Sequence, residues 1–198
     1  MPVLPDSTIQ RNAERILQLV NQLMDIRKID KGQMSLMFKK AEIVSFTRDL
    51  LETFEQQTRV KKLDLKFHTS APEIEIWIDP KNFDKIILNL LSNACKFTPE
   101  NGQVEISLST GEDTHLPQNA PLRRYVELTV ADSGIGIAST EREHIFERFY
   151  QIRNSQNNSN IGTGIGLHLT RSLVELHYGN IHVEDNGEGR PGSRFIIR

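Results

Sequence analysis

The 198-residue sequence has little of several features that mark particular classes of protein. Its one cysteine, Cys95, excludes an internal disulfide and favours a reducing compartment. It contains no run of about 18 apolar residues and no signal peptide, so neither a membrane span nor secretion is predicted. Because 24 lysines and arginines stand against 26 acids, no field of one sign indicates a nucleic-acid or membrane-surface partner. These absences predict a cytoplasmic protein of one ordinary domain with a short appendage.

The chain opens with an apolar repeat over residues 8–29. Its members are spaced alternately four and three residues apart and are Ile9, Ala13, Ile16, Val20 and Leu23. This spacing is typical of a coiled-coil seam or of a helix in a four-helix bundle. The helix could fold back onto its own domain. Because a helix at this position has little in front of it to pack on, a partner helix in a second copy of the chain is the preferred interpretation.

The remaining periodicities predict a mixture of helices and strands. Helical spacing indicates helices at residues 41–59, after Asp79-Pro80 up to residue 97, at 139–146 with Ser139 or Thr140 as cap, and at 164–178. Alternation indicates strands at residues 34–39, 63–68, 74–78, 104–108, 124–131, 180–183 and 193–197. Residues 111–121 are predicted to form a polar loop, and the polar run at 151–160 is expected to be mobile. Since helices and strands do not alternate strictly, the predicted fold class is α+β: a two-layer α/β sandwich with a mixed sheet packed on helices, preceded by one long N-terminal helix.

The helix that ends at Phe97 carries a polar stripe on an otherwise apolar surface. Asn89, Asn93 and Lys96 lie four and three residues apart and therefore share one face. Two amides and an ammonium on a largely buried helix are costly without a partner. Side-chain carbonyl oxygens suit Mg²⁺, which proteins commonly hold together with nucleotide phosphates. The alternative is a solvated polar face on a structural helix.

Residues 130–137, VADSGIGI, place an acid and two glycines at the end of a predicted strand. The carboxylate of Asp132 only accepts hydrogen bonds, which suits the exocyclic amine of adenine. Gly134 and Gly136 lack a Cβ, so the backbone can turn sharply and lie against a ligand. Taken alone, the same residues would also fit an ordinary turn.

A second glycine-rich stretch, NIGTGIGL at residues 160–167, precedes a predicted helix. Glycines at a helix N-terminus expose backbone N–H groups that can bind phosphate. No strand directly precedes these glycines, so they do not form a dinucleotide fingerprint. No Lys-Ser or Lys-Thr pair follows them, so they do not form a P-loop either.

These three stretches, with the segment HIFERFY at residues 144–150 between the last two, resemble the ATP-binding domain of sensor histidine kinases. They are similar to the N box, the two glycine boxes and the F box of that family, and the resemblance covers nearly the whole chain. It implies that Asn93 ligates Mg²⁺ with support from Asn89, that Lys96 contacts phosphate, and that Asp132 selects adenine with a nearby hydroxyl from Ser193. The residues implied to contact ATP or its metal are Asn89, Asn93, Lys96, Phe97, Asp132, Gly134, Gly136, Ile137, Tyr150, Gly162, Thr163, Gly164, Ile165, Gly166, Leu167 and Ser193.

The resemblance also implies a domain organisation. Residues 1–31 would be the second helix of a dimerisation and phosphotransfer hairpin, and residues 34–198 the ATP-binding catalytic domain. The implied partners are ATP, a second copy bound through the N-terminal helix, a phosphoacceptor helix and a response-regulator receiver domain. A phosphoacceptor motif such as SHELRTPL is absent from the sequence. Self-phosphorylation on the usual histidine is therefore not expected, and no residue of this chain is predicted to be catalytic.

The segment after the F box departs from the family pattern. Gln151 stands where many members carry a basic residue, so Arg148 or Arg153 would take over a phosphate contact. By the resemblance, the polar run at residues 151–160 would be the lid over ATP. Phe146 and Phe149 are expected to anchor this lid in the core, since phenylalanine rings are usually buried.

Two alternatives to a kinase stay open. Another ATPase of the same superfamily would share the nucleotide site, although some of those enzymes carry an acid at the position of Asn89. A pseudokinase would act as a dimerisation and interaction module.

Overall fold

A five-stranded mixed sheet backed by helices organises the chain in the computed structural model, which describes residues 6–115, 123–152, 162–187 and 189–198. The helices and strands in chain order are α1 (Asp6–Asp30), β1 (Lys39–Glu42), α2 (Ile43–Glu52), α3 (Glu55–Lys61), β2 (Asp64–Thr69), β3 (Glu75–Ile78), α4 (Pro80–Phe97), β4 (Gln103–Glu112), β5 (Arg124–Asp132), α5 (Gly166–Leu176), β6 (Ile181–Asp185) and β7 (Ser193–Ile197). This arrangement confirms the predicted α+β class. Within the residues described, none of the helices combines the length and apolar character needed to cross a lipid bilayer.

The main sheet has the strand order β2-β4-β5-β7-β6, and β1 pairs with β3 in a separate two-stranded sheet. Strands β2 and β4 are parallel, while the other neighbours in the main sheet are antiparallel, so the sheet is mixed as predicted. Asp132, the last residue of β5, lies opposite Val104 of β4 and Ser193 of β7. The sheet thus brings two polar side chains together that are 61 residues apart in sequence.

The core lies between one face of this sheet and the helices. Alternate residues of β4 are at most 1% exposed, namely Val104, Ile106 and Leu108. The aliphatic side chains of α4 that are at most 1% exposed are Ile86, Ile87, Leu90 and Leu91. Both sets belong to one buried cluster. Burying each such side chain contributes about 1.5–3 kcal/mol, which fixes α4 on the sheet and leaves its polar stripe facing away from the core.

The strand predicted at residues 34–39 is wrong, because that segment has no regular structure and β1 begins only at Lys39. The segment packs one side against the domain without a strand partner, and its half-buried side chains are Met34, Leu36 and Phe38. The main-chain N–H of Met37 donates to the carboxylate of Asp79, at 2.9 Å. The apolar alternation therefore reflects one-sided packing along the start of α4.

The single helix predicted at residues 41–59 is also wrong. Residues 41 and 42 belong to β1, and the helical part is divided into α2 and α3. The hydroxyl of Thr53 donates to the carbonyl oxygen of Leu50 at 2.6 Å, and such a bond competes with the backbone pattern that would continue a helix. Phe54, which is 8% exposed, turns into the core at the same point.

The helix predicted at residues 139–146 is instead a pair of 3₁₀ turns, Ser139–Glu141 and His144–Phe146. The predicted caps are wrong, because Ala138 precedes the first turn and no side chain caps it. Helix α5 begins at Gly166 rather than at Gly164, whose φ of +68° is left-handed.

Parts of two predicted polar segments lie outside the described residues. Strand β4 extends to Glu112, into the loop predicted at residues 111–121, of which residues 116–121 are not described. Of the polar run at residues 151–160, only 151 and 152 are described, and both are exposed.

The second half of α1 packs onto the domain. Ile26 is 6% exposed, the ammonium of Lys85 on α4 lies 2.7 Å from the carboxylate of Asp25, and Asp30 forms an ion pair with Arg148. The predicted apolar repeat lies closer to the N-terminus of α1, and its members Ile9, Ile16, Val20 and Leu23 are 44–62% exposed. Within the described residues, the domain covers the end of α1 and leaves this repeat accessible.

Candidate functional site

The acid at the end of β5 is nearly buried and held by two hydrogen bonds. Asp132 is 6% exposed. The main-chain N–H of Gly134 donates to its Oδ1 at 2.8 Å, and the hydroxyl of Ser193 donates to its Oδ2 at 2.9 Å. Burial raises the pKa of the Asp132 carboxyl, against the opposing effect of these two donors. The predicted contact between the acid and the Ser193 hydroxyl is present, and the fixed carboxylate can accept a hydrogen bond from a ligand.

The segment after Asp132 crosses the C-terminal end of α4 at very short range. A Cβ added at Gly134 would lie 2.6 Å from the carbonyl oxygen of Phe97. Gly136 has a φ of +72°, which few other residues adopt, and a Cβ there would lie 3.2 Å from the carbonyl oxygen of Gly192. These glycines allow the acid, the end of α4 and the start of β7 to meet at one place.

The polar face of α4 lies against α5 and the second glycine stretch. Asn89 donates from Nδ2 to the hydroxyl of Thr170 on α5 at 2.8 Å, and a Cβ at Gly166 would overlap its Oδ1. Asn93 is half-buried one turn further along. The ammonium of Lys96 lies 3.3 Å from where a Cβ at Gly162 would be, so it borders the second glycine stretch. The structure therefore brings the predicted stripe against α5 and the second glycine stretch, on the helix whose C-terminal end lies beside the segment that follows Asp132.

The second glycine stretch rests on the segment that precedes the undescribed residues. The main-chain N–H of Phe149 donates to the carbonyl oxygen of Gly164 at 2.8 Å, and the Gln151 side-chain amide donates to that of Gly162 at 3.0 Å. The hydroxyl of Thr163 accepts from the N–H of Ile165 at 3.3 Å. The glycine stretch is thereby held beside α4, and its own residue Ile165 is buried.

The aromatic segment follows the prediction in part. Phe146 is 2% exposed and anchors the segment in the core, whereas Phe149 is 65% exposed, so the expectation that it is a core anchor is wrong. Phe149 has a φ of +64°, which turns its ring outward. Tyr150 donates its hydroxyl to Glu141, so that hydroxyl is already engaged.

Arg148 is engaged away from the polar face of α4. Its guanidinium pairs with Asp30 at the end of α1 and donates from Nε to Nε2 of His168 at 2.8 Å. The ring of His168 in turn donates from Nδ1 to the carbonyl oxygen of Phe146 at 3.0 Å. Arg153, the other candidate for a phosphate contact, lies outside the described residues.

Lys61, which no sequence motif indicated, supports the C-terminal end of α4. The ammonium of Lys61, at the end of α3, donates to the carbonyl oxygens of Cys95, Lys96 and Thr98 at 2.8, 3.0 and 3.2 Å. A cation at the C-terminus of a helix satisfies carbonyls that have no partner and interacts favourably with the helix dipole. No local pattern signals this contact, because its partners lie 34–37 residues further along the chain.

A cavity of about 590 Å³ separates α1 from the glycine stretch. Its α1 side is lined by Asn12, Ile16, Leu19 and Leu23. Its opposite side is lined by Gln151, Gly162, Thr163 and Ile165. The glycine stretch thus faces open space on the side of the N-terminal helix.

Comparison with known proteins places this chain in a family. Residues 78–198 match the family described as histidine kinase-, DNA gyrase B-, and HSP90-like ATPase. The sensor histidine kinase TmoS of Ectopseudomonas mendocina is 38% identical over 190 residues, which are 96% of this chain but 18% of TmoS. The chain therefore spans less than a fifth of the length of that relative.

Solved structures show the same fold. ShkA full-length in complex with AMPPNP is 26% identical with a TM-score of 0.77, covering 96% of this chain and 37% of ShkA. The histidine kinase ThkA in complex with response regulator protein TrrA is 22% identical with a TM-score of 0.67, covering 99% of this chain and 52% of that one.

Proposed function

We propose that this chain binds ATP with Mg²⁺ so that its parent protein can transfer the γ-phosphoryl group to a histidine. The chain belongs to the family of histidine kinase-, DNA gyrase B- and HSP90-like ATPases, as the ATP-binding catalytic domain of a sensor histidine kinase. One observation carries the proposal. A buried carboxylate held by Ser193 lies close to the C-terminal end of α4, where Gly134 meets the carbonyl oxygen of Phe97, and the second glycine stretch borders Asn89 and Lys96 on the polar face of the same helix. This arrangement supports separate binding of an adenine base, a metal and phosphates.

Asp132 would bind the adenine. Its carboxylate is fixed by Gly134 and Ser193, so a 6-amino group would meet an acceptor that needs no reorientation. Because the acid is nearly buried, a ligand that offers no donor would displace water from the carboxylate without replacing the hydrogen bond of that water. This difference supports selection of adenine over a purine without the amino group.

Asn93 would hold Mg²⁺ through its side-chain oxygen. Hard oxygen ligands fit this ion, which retains waters and is shared with nucleotide phosphates. The neighbouring Asn89 is committed to Thr170 and to the close approach of Gly166, which fits a supporting role. When bound, Mg²⁺ would neutralise phosphate charge, and Lys96 beside Gly162 would add a cation at the same place.

Positioning is what this chain would contribute to phosphoryl transfer. Such reactions depend mainly on alignment and on stabilisation of charge. The cavity between α1 and the glycine stretch is large enough for an incoming side chain and opens where the phosphates would lie. A histidine carried by another helix would approach there, so no residue of this chain needs to act as the phosphoacceptor.

The partners follow from the same proposal. The exposed repeat on α1 would pair with its counterpart in a second copy, because apolar side chains 44–62% exposed at regular spacing favour helix association. Residues 1–31 would then belong to the dimerisation hairpin and residues 34–198 to the catalytic domain. A receiver domain would accept the phosphoryl group, as a partner comparable to TrrA in its complex with ThkA. The chain would act in the cytoplasm, where ATP is available.

Isothermal titration calorimetry with AMPPNP, with and without Mg²⁺, tests the proposal. The wild type should bind in both conditions and more tightly with Mg²⁺. Asn93→Ala should lose about ten-fold in affinity with Mg²⁺ and little without it, because a ligand of the metal is removed. Asn21→Ala, an exposed amide on α1, is the matched control and should bind like the wild type. A folded wild type that binds no nucleotide at millimolar concentration would favour the pseudokinase alternative.

A further inference from the structure

We propose that Asn186 is a positioning residue for adenine recognition, because its side-chain amide ties the main chain of Asp132 to the turn that carries Ser193. The inference rests on the proposed binding of adenine by Asp132. Asn186 follows β6 directly and lies in none of the sequence motifs that indicated the nucleotide site.

The amide of Asn186 uses both of its N–H donors on carbonyl oxygens of the site. Its Nδ2 donates to the main-chain oxygen of Asp132 at 2.6 Å and to that of Pro191 at 2.8 Å. Its Oδ1 is buried and has no hydrogen-bond partner among the described residues. Flipping the amide would place this oxygen against two carbonyl oxygens, so the donated bonds fix its orientation. A buried acceptor left unpaired is uncommon, and holding the two carbonyls together gives a reason for it.

Two further contacts, besides those of Asn186, join the end of β5 to the turn before β7 and the start of β7. A Cβ at Gly192 would overlap the carbonyl oxygen of Asp132, and the φ of Gly192 is +101°, so the two backbones touch. Ser193 donates to the carboxylate of the same aspartate. The amide thus holds the main chain on one side of Asp132 while Ser193 holds its side chain.

The consequence for recognition follows from hydrogen-bond geometry. A hydrogen bond weakens steeply when its angle is poor, so a small displacement of Asp132 would weaken its bond to a 6-amino group. The turn between β6 and β7 contains two further glycines with positive φ, Gly187 at +92° and Gly189 at +73°. Glycines give a turn little stiffness of its own, which leaves the Asn186 amide as a main restraint.

The test compares two ligands that differ in one group. A non-hydrolysable ATP analogue and the matching purine riboside triphosphate without the 6-amino group are titrated into the full chain by calorimetry. In the wild type the 6-amino group should improve affinity by about ten- to a hundred-fold, as expected for a hydrogen bond to a charged acceptor. Asn186→Ala should reduce this ratio at least three-fold and change the affinity for the purine analogue less.

Asn186→Asp serves as the isosteric variant, since it keeps the size of the side chain and replaces the donor by an acceptor. It should reduce the ratio at least as much as alanine does, because a carboxylate would face two carbonyl oxygens. Arg190→Ala, which changes an exposed side chain of the same turn, is the control and should keep the wild-type ratio. If both Asn186 variants bind the two ligands more weakly by equal factors, the residue is only structural and the inference is wrong.

A measurement on the wild type covers the case in which neither variant folds. The side-chain amide resonances of Asn186 should shift more on binding the ATP analogue than on binding the purine analogue, and equal shifts would overturn the inference. Failure of the proposed function gives a different result: the wild type would bind neither ligand, or would bind both equally, before any variant is compared.

Discussion

Replacing Asp132 by asparagine should stabilise the fold while weakening nucleotide binding. The carboxylate is 6% exposed, and burial raises its pKa. Asparagine has nearly the same shape and can keep both contacts: its oxygen accepts from the N–H of Gly134, and its amide donates to the hydroxyl of Ser193, which rotates to accept. The substitution therefore removes a buried charge and keeps these two contacts, while the second amide N–H and the hydroxyl hydrogen of Ser193 each need another acceptor.

The sign of the pH dependence follows from the raised pKa. In the unfolded chain an aspartate titrates near about 3.9. Between that value and the higher folded value, the folded chain holds more protons, so the free energy of unfolding falls as the pH rises through this window. Above the window the loss is constant and amounts to about 1.4 kcal/mol for each unit by which the pKa is raised. Asp132→Asn lacks this loss, so its advantage should grow with pH and then level off.

Urea unfolding followed by far-UV circular dichroism between pH 4 and pH 8 measures this difference. Asp49→Asn, an exposed acid on α2, is the control and should stay within about 0.5 kcal/mol of the wild type. The affinity of Asp132→Asn for the ATP analogue should fall by about 1.5–3 kcal/mol, since a charged acceptor is lost. An Asp132→Asn protein that is less stable than the wild type at pH 7, or whose difference does not change with pH, would refute the reasoning.

Three further substitutions test the supports of the site. Glu42→Ala should lower the free energy of unfolding by about 1 kcal/mol at pH 7, because the carboxylate caps α2. Burial acts to raise the pKa of Glu42, but N–H donors hold it at about 2. In urea titrations the difference between the variant and the wild type should therefore disappear as the pH falls toward that value. Lys61→Met should lower the unfolding free energy by about 1–3 kcal/mol and weaken AMPPNP binding. Lys61→Arg should retain part of the stability and part of the affinity. Equal unfolding free energies for the two variants would contradict the capping role. Gly166→Ala should destabilise the wild type, since its Cβ would displace the Asn89 side chain, but should be neutral or stabilising in Asn89→Ala, as a double-mutant cycle of unfolding free energies would measure.

The elements predicted best are those whose periodicity comes from burial on one side. Helix α4 has its apolar stripe on the core and its polar stripe on the opposite side, as the spacing of Asn89, Asn93 and Lys96 indicated. Strand β7 begins and ends at the predicted residues, and β5 extends one residue further, to Asp132. In each case the spacing of apolar residues follows from burial between the main sheet and the helices, so the prediction from sequence agrees with the structure.

The errors have a physical cause in common. At residues 34–39 an apolar alternation was produced by one-sided packing without strand partners, and at residues 41–59 a helical spacing continued across a break set by a Thr53 side-chain bond. Periodicity reports which side chains are buried, but not whether a neighbouring strand supplies hydrogen bonds or whether a side chain interrupts a helix. Phe149 shows the same limit, because its outward ring follows from a positive φ that its residue type does not indicate.

The supports of the site were out of reach for a different reason. Lys61 and Asn186 contact carbonyl oxygens of the main chain, which every residue possesses, so nothing in their partners' identities marks the contact. Both contacts also span more than 30 residues. Motifs identify side chains that would touch a ligand, whereas the residues that hold those side chains in place are visible only when the chain is folded.

The candidate site also contains several features that are energetically unfavourable for the folded chain. A carboxylate is buried with a raised pKa, a buried amide oxygen lacks a partner among the described residues, and Phe149, which is not a glycine, has a φ of +64°. Each of these costs stability that an ordinary core would not lose, and they occur together within one small region. Selection for stability alone would remove them, as the expected gain from Asp132→Asn illustrates. Their concentration at one place is therefore an argument for function that does not depend on any family motif.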